Sequence, residues 1–225
     1  MGSASLSSCL QSMFVVLITL YRVVGWGPVV DDPTKGFISQ YLNESNLVVQ
    51  RPYDIVSENQ RYSFKNGVHK LWVQISLTLP SIIVATEDLI RRLSFQGYDY
   101  SSGVWQFEAY GHVPGGTTGV CVMQVFGSDP PHATTLMLRV YNGTLSYYRA
   151  PVIVPNIYDR WFKLNVIHDV EASKVKVYID GVLKFEALGR GGHSHYFKCG
   201  VYAQNNSSYY MESRWKNIRL LKKCD

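Results

Sequence analysis

Lys174-Val175-Lys176-Val177-Tyr178-Ile179 is followed by Asp180-Gly181 and then Val182. Polar and apolar residues alternate through the first six positions, which puts Val175, Val177 and Ile179 on one side of an extended chain. Asp-Gly after such a run marks a tight hairpin, because its turn positions need positive φ, which glycine and a short acidic or amide side chain tolerate. Working outward, Val104-Trp105-Gln106-Phe107-Glu108-Ala109-Tyr110 alternates in the same way, and Tyr141-Asn142-Gly143-Thr144 supplies a second hairpin turn. Gly115-Gly116, Pro130-Pro131 and Gly191-Gly192 punctuate further connections. After Asp32 no helical periodicity exceeds two turns. Many short strands without interleaved helices predict an all-β sandwich or jelly roll of antiparallel sheets.

At 225 residues the chain suits one domain of this class, and 46% apolar against 17% charged residues excludes a disordered or fibrous protein. With no repeat or linker in view, one domain over residues 31–225 is expected. The stretch Met13 to Tyr21 is apolar but too short to span a bilayer, and its length is that of a signal-peptide core. A signal peptide over residues 1–27, cleaved between Arg22 and Val30, therefore predicts a secreted or vacuolar protein with no membrane segment. Sequons at Asn43, Asn142, Asn205 and Asn206 lie in stretches that read as loops or turns and agree with that route. The net charge of +5 becomes +4 once Arg22 leaves, without the clustered Lys/Arg stripe of a nucleic-acid binder. A mildly basic monomer suits an acidic ligand.

Beyond Cys9, Cys121, Cys199 and Cys224 allow at most one intrachain disulfide. Parity places Cys121 with Met123 and Val125, and Cys199 with the apolar side of its strand, so both thiols are expected to point into the sandwich. His168, His193 and His195 lack ligand spacing, and neither a metal nor another cofactor is expected. One stretch does not alternate: Ile75 to Ile90 carries Pro80 and apolar residues on both faces, and reads as a buried strand, a loop or a short helix from Thr86.

The chemistry concentrates at Tyr196-Phe197-Lys198-Cys199-Gly200-Val201-Tyr202-Ala203-Gln204. Phe197, Cys199, Val201 and Ala203 form a core side. Tyr196, Lys198, Tyr202 and Gln204 form a row of hydrogen-bonding groups around Gly200, where another molecule can approach the backbone.

This pattern, Tyr-Phe-Lys-x-Gly-x-Tyr-x-Gln, resembles the C-terminal signature of the alginate lyase 2 domain, the jelly roll of polysaccharide lyase family seven. Gln124-Val125-Phe126 is the counterpart of a second family motif, Gln-Ile/Val-His. Gly97 to Glu108, Thr134 to Tyr148 and Pro155 to Gly192 are more similar still to plant citrate-binding proteins of the same domain class. The likeness runs from Asp32 to Lys223 apart from residues 75–90.

The resemblance implies a concanavalin-like jelly roll of two sheets with a concave ligand groove. For the lyases it implies β-elimination on polyuronates: an Arg and a Gln neutralise the uronate carboxylate, and a His and a Tyr move protons. Carried over residue by residue, Gln124, Lys198 and Tyr202 match, with Tyr202 at the acid/base position. Tyr196, Gln204, Glu87 and Arg91 join Gln124 and Lys198 as expected ligand contacts. The His position is Phe126, and the Arg that leads the family's Arg-Ser/Thr-Glu motif is Ala85. His112 is a candidate substitute base. The expectation is a binder of a small carboxylate or acidic oligosaccharide, with a polyuronate lyase as the alternative and a wall protein with a vestigial groove as a third.

Overall fold

The computed structural model describes residues 32–50, 61–74 and 90–224. The expected signal peptide, the sequence break over residues 75–89 and Glu87 lie outside them.

Strands are numbered β1 to β15 along the chain, and they form two antiparallel sheets. The first runs β13 (Val182–Leu188), β12 (Lys174–Ile179), β11 (Trp161–Asp169), β6 (Val104–His112), β15 (Tyr210–Lys223), β4 (Val68–Gln74), β3 (Tyr62–Lys65), with β1 (Phe37–Ser39) beside β15. The second runs β10 (Val152–Val154), β9 (Thr144–Tyr147), β8 (Thr134–Tyr141), β7 (Val120–Phe126), β14 (Tyr196–Ala203), β5 (Ile90–Phe95), β2 (Leu47–Gln50). A single turn of 3-10 helix, Glu44–Asn46, precedes β2. Among the described strands the chain changes sheets eight times, including from β5 to β6, from β6 to β7, from β10 to β11, from β13 to β14 and from β14 to β15, so sequence neighbours pack face to face across the core. This is the expected all-β jelly-roll sandwich.

The alternating runs dictate which side of each strand is buried. In β12, Val175, Val177 and Ile179 are buried while the intervening lysines reach water. Asp180-Gly181 and Asn142-Gly143 take the paired positive φ values of a type I′ turn, and a third such turn at Asn66-Gly67 joins β3 to β4. The sheets meet through rings. Phe107 of β6 lies 6.0 Å from Phe197 of β14, 6.0 Å from Phe95 of β5 and 6.0 Å from Trp215 of β15, centroid to centroid. Each fully buried side chain of this size contributes about 1.5–3 kcal/mol. A Phe107→Ala change, which also leaves a cavity, costs about 3–5 kcal/mol.

One parity expectation fails. In β7, Val120, Val122, Met123 and Val125 all join the core, so two successive residues face inward at Val122-Met123. The two-residue step from Met123 to Cys121 is opposed by one residue on β8 and by three on β14. This bulge returns Cys121 to the outward side, opposite Tyr202 and Arg139, rather than into the sandwich. Cys199 does point into the core. Gly200, at the matching irregularity of β14, has φ +141°, a conformation that suits glycine and few other residues. Its backbone geometry thus has a structural use within the sheet itself.

Candidate functional site

The outward face of the second sheet is built from alternate residues of β2, β5, β14 and β8 and, on the bulged β7, from Cys121, Gln124 and Phe126. Register aligns Gln50 with Arg92, Arg92 with Gly200, Lys198 with Ser94 and Gln124, Tyr196 with Phe126, Gln124 with Met137, and Cys121 with Tyr202 and Arg139. Although these side chains point away from the core, Arg92 and Lys198 each keep only 6% of their surface in water, and Gln124 keeps 1%. Polar groups so placed are shielded from water by their neighbours, and we call the sheet face that they share the furrow.

Its floor holds two cations close together. The Arg92 guanidinium donates through Nη1 to Gln124 Oε1 and lies 4.6 Å over the Tyr202 ring. Its Nε is buried without a partner. The Lys198 ammonium lies 4.5 Å from the Phe126 ring centre and 4.8 Å from that of Tyr196, and donates to Gln50 Oε1 at 3.4 Å. Burial, and secondarily the charge of Arg92, lowers the Lys198 pKa to about 8. Burial also depresses the Arg92 guanidinium from its ordinary value. Among the described residues no carboxylate pairs with either cation.

Around this pair, Tyr196 has its phenol raised by burial. The Cys121 thiol, 1% exposed, donates to the Met123 carbonyl at 3.3 Å. Burial pushes it up to about 12 despite the nearby Arg92 and Arg139, so it is a neutral thiol at physiological pH. Further along the furrow, Arg139 lies 4.9 Å over the Tyr148 ring with its Nε buried and unpartnered.

Residues 89–222 match the family model described as alginate lyase. The chain belongs to the alginate lyase 2 family. A relative called citrate-binding protein, from Hevea brasiliensis, is 49% identical over 192 residues, which is 85% of this chain and 79% of that protein. Among solved structures, an alginate lyase of polysaccharide lyase family 7 superposes with a TM-score of 0.58 at 16% identity, over 78% of this chain and 94% of that one. The alginate lyase from Corynebacterium sp. gives 0.57 at 13% identity, over 85% and 98%. At those identities the structural likeness speaks for the fold alone.

The furrow gathers Gln124, Lys198, Tyr196 and Tyr202 as the family pattern implies. Arg92, rather than Arg91, stands beside Gln124. Arg91 is described by its backbone only, opposite the core residue Val201. Alternation carried the signal: Leu93 and Phe95 are core residues, so Arg92 and Ser94 fall on the other face. Arg92 thus supplies a buried guanidinium beside Gln124 in the described sheet. Gln204 lies just past β14 and donates its amide to the Ala203 carbonyl at 2.8 Å, capping its own strand. His112 belongs to β6 in the other sheet, against the Trp161 ring at 5.3 Å, and so is not a substitute base for the furrow. Asn43, Asn142, Asn205 and Asn206 are all exposed, Asn43 as the cap of the 3-10 turn. Cys121, Cys199 and Cys224 are free thiols.

Proposed function

We propose that this protein binds carboxylate-bearing ligands, citrate or an acidic sugar, in the furrow around Arg92, Gln124 and Lys198, after delivery to the secretory pathway. One observation carries the reading. Two cations are buried on one sheet face with no anion among the described residues to neutralise them, an arrangement that costs free energy in the empty protein. A ligand carboxylate relieves it: the guanidinium offers the planar, paired donors such a group takes best, and the ammonium adds a point charge. Gln124 holds the guanidinium in place through its carbonyl oxygen. The name of the Hevea relative supports citrate as the first ligand to try. Calorimetry with citrate and with oligouronates tests the reading; absence of heat with both, from folded protein, would overturn it.

A second reading, β-elimination on polyuronates, is favoured by one feature. The Lys198 amine lies against Phe126, where the family pattern has its histidine, and its lowered pKa gives it a useful neutral fraction near pH 8. In that role the amine takes the C5 proton and the Tyr202 phenol protonates the departing glycosidic oxygen. The unsaturated uronate so formed absorbs in the ultraviolet. A flat trace with alginate, glucuronan and pectin from pH 5 to 10 removes this reading and leaves the binder.

A further inference from the structure

The furrow does not end at Arg92. Along β8 the outward positions are Met137, Arg139 and Tyr141, and on β9 Thr144 and Ser146 stand opposite Tyr141 and Arg139. A cavity of about 350 Å³ opens there, lined by Thr118, Tyr141, Thr144, Ser146 and Arg149, with Asn142 and Asn206 also on its wall. The Arg149 guanidinium lies 4.5 Å over the Tyr141 ring. The Tyr141 hydroxyl is buried with no hydrogen-bond partner, as is the neighbouring Arg139 Nε. Eight side-chain atoms are buried and unpartnered among the described residues, and both of the arginine atoms lie on this one face. Buried polar atoms in native proteins are nearly always satisfied. An unpaired phenol on an open, hydroxyl-lined cavity is therefore a donor awaiting an acceptor. Arg139, whose Nη2 donates to the Met137 sulfur at 3.2 Å, keeps its Nε unpaired two residues along the strand on the same face. No carboxylate pairs with Arg139 or Arg149 among the described residues.

We infer that this cavity is a second carboxylate-binding subsite, with Tyr141 and Arg149 as its principal donors and Arg139 as the charge behind them. It rests on the carboxylate reading of the furrow but uses different residues. Arg92 on β5 and Tyr141 on β8 are separated by two intervening strands, or about 14 Å at roughly 4.8 Å per strand step. That distance is too great for one citrate to fill both positions, so a small polycarboxylate occupies them independently. A longer acid-bearing ligand engages both with one molecule.

Citrate titrations by calorimetry test this on the full chain freed of N-glycans, since Asn142 and Asn206 border the cavity. Two citrates per chain are expected. Arg149→Gln combined with Tyr141→Phe should remove one and leave the other, while Arg92→Gln should do the reverse, each weakening its own site at least tenfold. Arg149 is exposed, and melting curves confirm that the variants are folded. A single citrate per chain that Arg92→Gln abolishes overturns the second subsite alone. A single citrate that only the Arg149 and Tyr141 changes abolish overturns the Arg92 reading alone. Two citrates unaffected by Arg149→Gln and Tyr141→Phe also overturn the proposal, and no heat at all overturns both.

Discussion

The two sheets treat charge on their outward faces in opposite ways. On the first sheet, Glu108 is 4% exposed and is clasped by Arg219 and by Lys163, with Asn165 donating to it as well. Glu212, 3% exposed, is held in the same manner by Lys70 and Arg214. Each buried carboxylate there has two cations. On the second sheet, Arg92 and Lys198 are just as buried and have no carboxylate among the described residues. The same kind of strand surface is electrostatically complete on one side of the sandwich and open on the other. Completed clusters hold a fold together, whereas a pair of cations without a carboxylate partner is what the proposed ligand site requires.

The contrast can be broken by changing one group on each face. Arg92→Met keeps the volume of the stem and removes the unpaired charge, so stability should hold or rise within about 1 kcal/mol while citrate affinity falls at least ~100-fold, or about 2.7 kcal/mol. Glu108→Gln should do the opposite: it strands two cations and costs about 2 kcal/mol in urea unfolding, with citrate affinity unchanged. A variant pair in which both changes destabilise equally would erase the distinction between the faces.

The pH responses should separate as well. For Lys198, burial holds the free-state pKa near 8, and a bound carboxylate raises it. Below pH 8 the ammonium is already charged and affinity is flat. Above it, binding must take up a proton, and affinity falls by up to about tenfold per pH unit, visible as a buffer-dependent enthalpy. Burial pushes Glu108 and Glu212 up, but the hydrogen bonds from Arg219, Lys163 and Asn165 to Glu108, and from Tyr210, Lys70 and Arg214 to Glu212, outweigh it and leave both below the ordinary carboxylate value. Their stabilising contribution is present above about pH 4.5 and is lost as pH falls through the lowered values. Melting temperature should therefore drop in acid, while affinity drops in alkali. The smallest effect is expected from Tyr202→Phe. The ring beneath Arg92 survives, so citrate affinity should change less than about threefold, while any ultraviolet rise with polyuronates disappears.

Much of this was legible in the sequence, for identifiable reasons. Strand alternation at 104–110 and 174–179 and the Asx-Gly turns report backbone physics directly, so the fold followed. The outward placement of Lys198 and Tyr202 was legible because β14 alternates regularly around them, whereas Gln124 came forward only through the resemblance of Gln124-Val125-Phe126 to a family motif. Arg92 was overlooked beside Arg91 because the preceding residues break the pattern that would have counted it onto the right face. Cys121 was misplaced because a bulge leaves no mark in polar and apolar order when Val122 and Met123 are both apolar. His112 was suggested by proximity in sequence, which says nothing about which sheet receives a strand. The unpaired Arg139 Nε and Tyr141 hydroxyl depend on neighbours brought together by the fold and have no sequence signature.

The bulge at Val122 also bears on how such a furrow changes over generations. A strand read in steps of two behaves like a message with phase, and one additional residue moves every later position by half a period. Here that shift brings a thiol to the floor between two arginines without altering any other outward residue of β7. Loss of the Val122 codon would restore regular alternation with Cys121, Gln124 and Phe126 still outward, so the lining of the site and the sandwich beneath it can both outlast a change in strand length.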